Sequence, residues 1–556
     1  MHILCVNCGS GFEFSDLDAA FYTKIAPIIG NRPVAVPPPT RCPDCRSQRR
    51  LAYRNEQQLY YRTCDRTGRT IISMFDPDAP FVIYDPAAWW KDDWDPMSYG
   101  RQWTGGGFFE QFQELLRVVP QPSVINNNAE NADFCNFADG SKDSYLSTST
   151  HNVERTYYSW IIVNTRSVSD VLWCIDCELL YECIDCRNCY DLRYSQNCES
   201  CTSGSFLINC QGVKNSLFCC NLRNAEYHLF NKPVSKEEYE TSRRALDGSA
   251  SRYAIALERF AELKRTFPIR RASNIRSSEN AQGDNIVQCQ NIRSCFDIQE
   301  CRDCAYLQDC LHGTDCQDCS FFDGAELCLE SSSLIGNRCL FTLYCRDSSA
   351  LLYCVNCHGC TDCFGCVALR NKKHCVFNRQ YTKEQYTELT GRIITQMQAN
   401  GEWGEFFPIA HSPFPYNDTI AHLYYPLTAE KARTKGYPWK MHSDDGAKAE
   451  GTVAADSLPD RIADVPDDVV QRAVRCPITG KPFRLIKQEL ELYRQMQIPL
   501  PRLHPVERTR MRIAQRNPRK LWMRTCANCK KEIQTTYAPE RPEVVYCEEC
   551  YLKEVY

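Results

Sequence analysis

Cysteine spacing constrains this chain more than any other feature of it. Cys526-Ala-Asn-Cys529 and Cys547-Glu-Glu-Cys550 are two CxxC pairs with 17 residues between them. Two such knuckles bring four thiolates into a tetrahedron, the signature of a structural zinc site. The chain opens with the same layout and a longer insert, Cys5-Val-Asn-Cys8 and Cys42-Pro-Asp-Cys45. Zn2+ at two structural sites is therefore the expected cofactor, with Cys5, Cys8, Cys42, Cys45, Cys526, Cys529, Cys547 and Cys550 as ligands. Four thiol ligands leave no coordination position for water or substrate, so no catalytic residue is expected at either site.

The two ends are copies of one module. Shifted by 462 residues, Arg54-Asn55 falls on Arg516-Asn517, Arg62-Thr63-Cys64 on Arg524-Thr525-Cys526, and Pro80-x-Val82-x-Tyr84 on Pro542-x-Val544-x-Tyr546. Each copy keeps one of two ancestral zinc sites. Thr67, Asp85 and Ala88 stand where the second site of the N-terminal copy needs thiols. His504 and Glu507 replace the second CxxC of the first site in the C-terminal copy, where Cys476 is a remnant.

Residues 1–62 read as a treble-clef zinc fold. They resemble a bacterial "probable zinc-ribbon" family with the pattern CxxCGxxFxF…FY…PxRCxxCRxxRR. The last module resembles a second small zinc-ribbon family, CxxC…Y.P.RP.VYCxxCY. Together they resemble a group of uncharacterised cysteine-rich bacterial zinc-ribbon proteins. The resemblance implies zinc and no particular activity.

At 556 residues the chain should hold several domains, and a net charge of −4 dictates no partner by itself. No apolar run approaches a membrane span, and Met1-His2-Ile3-Leu4-Cys5 lacks a signal pattern, so a cytoplasmic location is expected. There, 37 cysteines are not expected to form a disulfide framework. Metal binding or burial as small apolar groups must account for them.

A second duplication fills the middle. Shifted by 147, Leu222-Arg-Asn224 meets Leu369-Arg-Asn371 and Phe230-Asn231 meets Phe377-Asn378. Within each copy cysteines recur 15 residues apart: Cys174 and Cys189, Cys183 and Cys198, Cys301 and Cys316, Cys345, Cys360 and Cys375. Fixed-period repetition marks a solenoid. β-Branched and aromatic residues between Asn, Asp, Ser and Gly corners predict a β-solenoid with a coil of about 15 residues and inward cysteine ladders. The expected fold is thus multi-domain and mainly β. Two duplicated cysteine-rich β-solenoid halves with helical inserts are flanked by homologous treble-clef/zinc-ribbon modules.

The expected boundaries are 1–119 for the N-terminal module with a tryptophan-rich extension, 120–234 for the first solenoid copy and 235–272 for a helical connector. The second copy covers 273–381, a helix with an aromatic and proline-rich wrap 382–440, a flexible acidic linker 441–470 and the C-terminal module 471–556. Phe108-Phe109-Glu-Gln-Phe112 has helical spacing and is expected to pack on the first zinc module. For Trp89, Trp90, Trp94 and Trp103 core packing is the leading expectation and a tryptophan-lined ligand site the alternative. Interior packing, extra zinc or an iron–sulfur cluster are the alternatives for the central cysteines, with His358 and His374 near them.

Arginine runs adjoin both zinc folds. Residues 502–531 hold ten Lys or Arg against one acid, and residues 41–66 hold seven Arg against three acids. Arginine on a helix beside a zinc knuckle, with aromatics nearby, suits a phosphate backbone and unpaired bases. The candidate nucleic-acid-binding residues are Arg46, Arg49, Arg50, Arg54, Arg508, Arg510, Arg512, Arg516, Arg519, Lys520 and Arg524. The opposing possibility is that solenoid acids pair with these arginines. The leading expectation is a cytoplasmic binding scaffold contacting RNA or a ribonucleoprotein, with no membrane partner and no identifiable small-molecule substrate. The homologous end modules are expected to pack on each other. Alternatives are an enzyme with its active site in a solenoid groove, or a metal- or redox-handling protein using the central cysteines. No phosphate loop, nucleotide fingerprint or GxSxG elbow occurs.

Overall fold

The computed structural model describes residues 1–267, 269–314, 317–319, 329–332, 335–442 and 451–555. The chain divides into two compact units, each discontinuous in sequence. One comprises Met1–Val124, Ser273–Lys440 and Arg519–Leu521; the other comprises Ile125–Ala272, Met441–Pro518 and Trp522–Tyr556. Each unit therefore combines one terminal zinc module with the cysteine-rich stretch from the other half of the chain.

In the unit containing 125–272, parallel strands pair at a constant step. Glu130 lies beside Lys142, Asn136 beside Thr148, Trp160 beside Leu172, Glu178 beside Tyr190 and Leu207 beside Cys219. The rung is 12 residues long, which corrects the expected 15. The reason lies in the backbone. Every third residue is left-handed: Asp170, Trp173, Asp176, Leu179, Glu182 and Asp185 have φ between 51° and 59°. Each turns a corner, and the residue after it enters the core, as Val171, Cys174, Cys177, Leu180, Cys183 and Cys186 all do. Four three-residue sides make one rung. Because 15 is also a multiple of three, cysteines 15 apart all face inward without lying above one another. The true ladder is Cys174, Cys186, Cys198 and Cys210, at the rung step and fully or nearly fully buried. Of the expected 15-residue series, Cys316 lies outside the described residues.

Among residues other than glycine, left-handed corners cost least for Asn and Asp, whose short polar side chains tolerate that region. Stacked corners hydrogen-bond along the pile: Asn152 donates to Asn164 at 2.9 Å, and Asn164 to Asp176 at 3.0 Å. Bulky corner residues are held by ring stacking instead. Tyr194, Phe206, Phe218 and Phe230 follow one another at the rung step with centroids 5.4, 4.6 and 4.9 Å apart and nearly parallel planes. Helices Lys236–Arg244 and Ala250–Thr266 follow the stack. They are broken at Asp247 and Gly248, both left-handed.

The expected linker is ordered where it is described. Thr452–Ala454 runs parallel to Ala473–Arg475, which pairs with Pro482–Arg484. Leu458, Ile462, Val465 and Val469 are buried in a core shared with Tyr493. Apolar residues every few positions give this segment something to bury, which its acidic composition concealed; residues 443–450 lie outside the described residues.

The unit containing Met1–Val124 repeats the 12-residue step: Phe296 pairs with Gln308, Leu351 with Cys363 and Cys363 with Cys375. One residue is dropped where the register shifts between Ile335, beside Arg346, and Gly336, beside Ser348. Helix Lys383–Ala399 follows from a capping box of Thr382 and Gln385. The Phe108–Val118 helix packs on this stack rather than on the zinc knuckles. The Phe108 ring meets Tyr353, Phe364 and Phe377 at 5.1–5.5 Å. Its apolar stripe finds the flat aromatic corners of the rungs, a surface that the 15-residue repeat did not reveal.

Candidate zinc centres and the arginine helices beside them

Each zinc set joins a knuckle to a helix N-terminus. At the N-terminal end, His2–Leu4 pairs with Gly11–Glu13. Between them the knuckle turns through Cys5 N–H to Ser10 O, 3.0 Å, and Gly9 N–H to Cys5 O, 2.9 Å. Cys42 then caps helix Pro43–Leu51, whose first turn carries Pro43 at a position that needs no N–H donor. At the C-terminal end the knuckle repeats as Cys526 N–H to Lys531 O, 2.8 Å, and Lys530 N–H to Cys526 O, 3.0 Å, with helix Glu548–Val555 supplying Cys550.

The geometry fits zinc. Within each set the four Sγ atoms lie within 4.8 Å of one another. Cys8 Sγ and Cys42 Sγ are 3.7 Å apart, as are Cys529 and Cys547. Sulfurs about 2.3 Å from a central ion at tetrahedral angles are separated by roughly this distance. Electrostatics agree. Burial alone would raise the Cys5 thiol, but N–H groups of Cys42, Cys8 and Asn7 turn toward it and hold it at about 6. N–H groups of Cys547, Cys529 and Asn528 do the same for Cys526, also about 6 against the opposing effect of burial.

The equivalent positions that lack a full thiol set have the same turn. Cys64 N–H to Arg69 O and Gly68 N–H to Cys64 O, 2.8 and 2.9 Å, reproduce the knuckle, as do Cys476 N–H to Lys481 O and Gly480 N–H to Cys476 O, 3.0 and 2.9 Å. At the third ligand position a helix cap has replaced the thiolate. Asp85 accepts from Ala87 N at 3.0 Å, and His504 Nδ1 accepts from Val506 N at 3.2 Å. A side-chain acceptor satisfies the free N–H groups at the helix start without a metal.

The central cysteines behave as core. Cys177 Sγ lies 3.3 Å from the carbonyls of Ile175 and Cys186, Cys210 Sγ 3.5 Å from those of Ile208 and Cys219, and Cys354 Sγ 3.4 and 3.5 Å from those of Leu352 and Cys363. Among the described residues, only the two terminal sets bring three or more candidate ligand atoms within 4.8 Å of one another. His358 sits against the rings of Trp89 and Trp90, 5.8 and 4.9 Å away, and burial pushes it down to about 4. His374 faces Asp362 at 3.7 Å and the ring of Tyr386.

The arginines proposed for a phosphate backbone are placed otherwise. In helix Pro43–Leu51, Arg46 Nε is 2.5 Å from Asp318 and Arg49 Nη2 is 2.7 Å from Glu330. Arg49 also pairs with Glu405, and Arg50 lies 3.7 Å from Asp318. Burial would lower the Arg46 guanidinium, but Asp318, Tyr22 and Glu330 together more than offset this and raise it. Arg54 pairs with Glu56 at 2.6 Å. In helix Pro505–Ala514, Arg508 pairs with Asp170; Arg512 reaches Asp170 at 2.7 Å and Glu182 at 3.2 Å. Arg516 is 3.2 Å from Asp185, and Arg519 pairs with Asp297, 3.1 Å, and Asp309. Arg46, Arg49, Arg50, Arg54, Arg508 and Arg512 are all buried. Arg524 donates to the carbonyls of Ala538 and Glu543. Of the eleven candidates, Arg510 and Lys520 are exposed, and Arg510 pairs with Glu507 at 2.8 Å. What the sequence could not show was which face of each helix the acids meet.

Among the described residues, no helix is long and apolar enough to cross a membrane. Neither the curated proteins nor the solved structures include a match to the chain. Residues 1–54 match the family described as a probable treble clef domain, in agreement with the knuckle-and-helix geometry of Cys5, Cys8, Cys42 and Cys45.

Proposed function

We propose that this protein is a zinc-stapled binding scaffold made of two copies of one unit, each a β-solenoid locked to a treble-clef module. The repeated lock carries the reading. Arg46 and Arg508 are equivalent at the 462-residue offset, as are Arg50 and Arg512. Asp318 and Glu330 lie 148 residues beyond Asp170 and Glu182. The Arg46–Asp318 and Arg50–Asp318 contacts thus recur as Arg508–Asp170 and Arg512–Asp170. The offset becomes 147 beyond the one-residue shift at Ile335 and Gly336, which accounts for the match of Leu222-Arg-Asn224 with Leu369-Arg-Asn371. A lock shared across both duplications supports a common ancestor of module and solenoid.

In this reading zinc works inward. In the unit of Met1–Val124 it fixes helix Pro43–Leu51, whose guanidiniums neutralise buried carboxylates of the rungs; in the other unit His504 rather than zinc caps the equivalent helix Pro505–Ala514, and the module as a whole presents it. A phosphate backbone would have to displace those carboxylates, at the cost of leaving buried charges unpaired. The partner surface is therefore the outer, corner-bearing face of the rungs. An RNA or ribonucleoprotein contact rests on the exposed Arg510, Lys530 and Lys531.

Chelation with parallel proteolysis and RNA titration tests this. The scaffold reading expects two zincs per chain, loss of protease resistance in the rungs as zinc leaves, and weak RNA binding with a shallow salt dependence. Rungs indifferent to zinc removal, with tight RNA binding lost on Arg508→Gln, would replace the inward lock by an outward reader.

A further inference from the structure

Beside the first stack, the Ala250–Thr266 helix and residues 499–503 enclose a pocket of about 300 Å³. This is the lower end of the range used by small-molecule sites. Its walls are apolar: Tyr181 and Tyr194 from the rungs, Tyr253 and Phe260 from the helix, Leu500 and Met511 from the C-terminal module. Charge around it is one-sided. Lys264, Arg502 and Arg508 line it, and Glu182 is the one acid among the lining residues. Glu182 is engaged by Arg512 at 3.2 Å and Arg508 by Asp170. Arg502 donates to the carbonyls of Ala455, Leu458 and Pro459. Lys264 Nζ donates to the neutral Gln515 Oε1 at 2.9 Å and lies over the Phe260 ring, 4.5 Å from its centroid. Burial and the nearby Arg270 push the Lys264 ammonium down to about 8, so the place is short of negative charge.

We propose that this pocket binds a small amphipathic anion, with an apolar chain or ring system between helix and rungs and a carboxylate-type head at Lys264. The apolar walls supply the affinity for the body. The uncompensated ammonium beside an aromatic ring selects a head of opposite charge. The site lies away from both zinc sets in sequence and does not depend on the scaffold reading.

The test uses full-length, zinc-loaded protein and 1-anilinonaphthalene-8-sulfonate, an aromatic anion whose fluorescence rises in apolar surroundings. Decanoate and decanol then compete for it. Decanoate is expected to displace the probe at about a tenfold lower concentration than decanol. Lys264→Met should raise the decanoate concentration required about tenfold and leave decanol unchanged. Ala254→Trp, on the exposed helix surface lining the pocket, should abolish probe binding while circular dichroism stays native. No probe binding to the native protein, equal displacement by the acid and the alcohol, or probe binding indifferent to Ala254→Trp would each overturn the proposal.

Discussion

Asp170 accepts hydrogen bonds from the guanidiniums of both Arg508 and Arg512 and is fully buried. Burying charge is costly unless it is paired, and removing one partner of a buried cluster costs roughly 3–5 kcal/mol. Asp170→Asn should therefore destabilise the protein by about that amount, read as a lowered denaturant midpoint. Asp318→Asn should do the same in the other unit. Replacing Asp170, Arg508 and Arg512 together by apolar residues should recover much of the loss. A second buried acid acts with the opposite sign. Burial raises Glu489 to about 8, with Arg508 opposing and Asp170 adding to the shift; Tyr158 and Tyr493 also face it. The folded state then holds a proton that the unfolded chain releases near 4.5. Between those values the native form binds more protons, so stability is greatest below about 4.5 and falls as pH rises to about 8. The contribution is on the order of 5 kcal/mol at most. Glu489→Gln should flatten the fall in melting temperature between pH 6 and 9; an unchanged slope would place the titration elsewhere.

At the level of elements, the zinc modules were legible and the rung length was not. The CxxC pairs carry their chemistry in local spacing, so Cys5, Cys8, Cys42 and Cys45 and their C-terminal counterparts meet as their sequence spacing implies. A rung of four three-residue sides leaves only a period of three in the sequence. Cysteines fill a subset of inward positions, and Ser141, Ser144, Thr150 and Val153 fill others. With mixed residue types on one face, the cysteine intervals alone suggested 15. Once period three is imposed, the corner class separates as Asn, Asp, Ser and aromatic residues, and the inward class as small or aliphatic ones. The helix-capping substitutions also make a direct prediction. Cys64 keeps its knuckle, and Thr67, Asp85 and Ala88 occupy the positions of Cys529, Cys547 and Cys550. Thr67→Cys, Asp85→Cys and Ala88→Cys together should create a third tetrathiolate site. Elemental analysis should then find three zincs per chain rather than two. The triple variant should also tolerate loss of the Asp85 cap, which by itself costs about 1 kcal/mol.

At the scale of the whole molecule, sequence order and spatial grouping part company. The module at Met1 shares a unit with residues 273–440, and residues 125–272 share theirs with the C-terminal region. The first stack therefore cannot be completed by chain synthesised before residue 441. Its Asp170 waits for Arg508 and Arg512, its Asp185 for Arg516, and the Ile269–Arg271 strand of the same unit for Val544–Tyr546. A chain ending at residue 440 lacks all of these and keeps almost all of the other unit. That truncation should bind one zinc, protect residues 1–124 and 273–440 from protease, and leave 125–272 open to cleavage. Adding the 441–556 fragment with zinc should restore protection by supplying the arginines and the strand in trans. Protection of 125–272 in the truncated chain alone would show that the rungs hold without their zinc module. The staple would then be dispensable to the stack on which it sits.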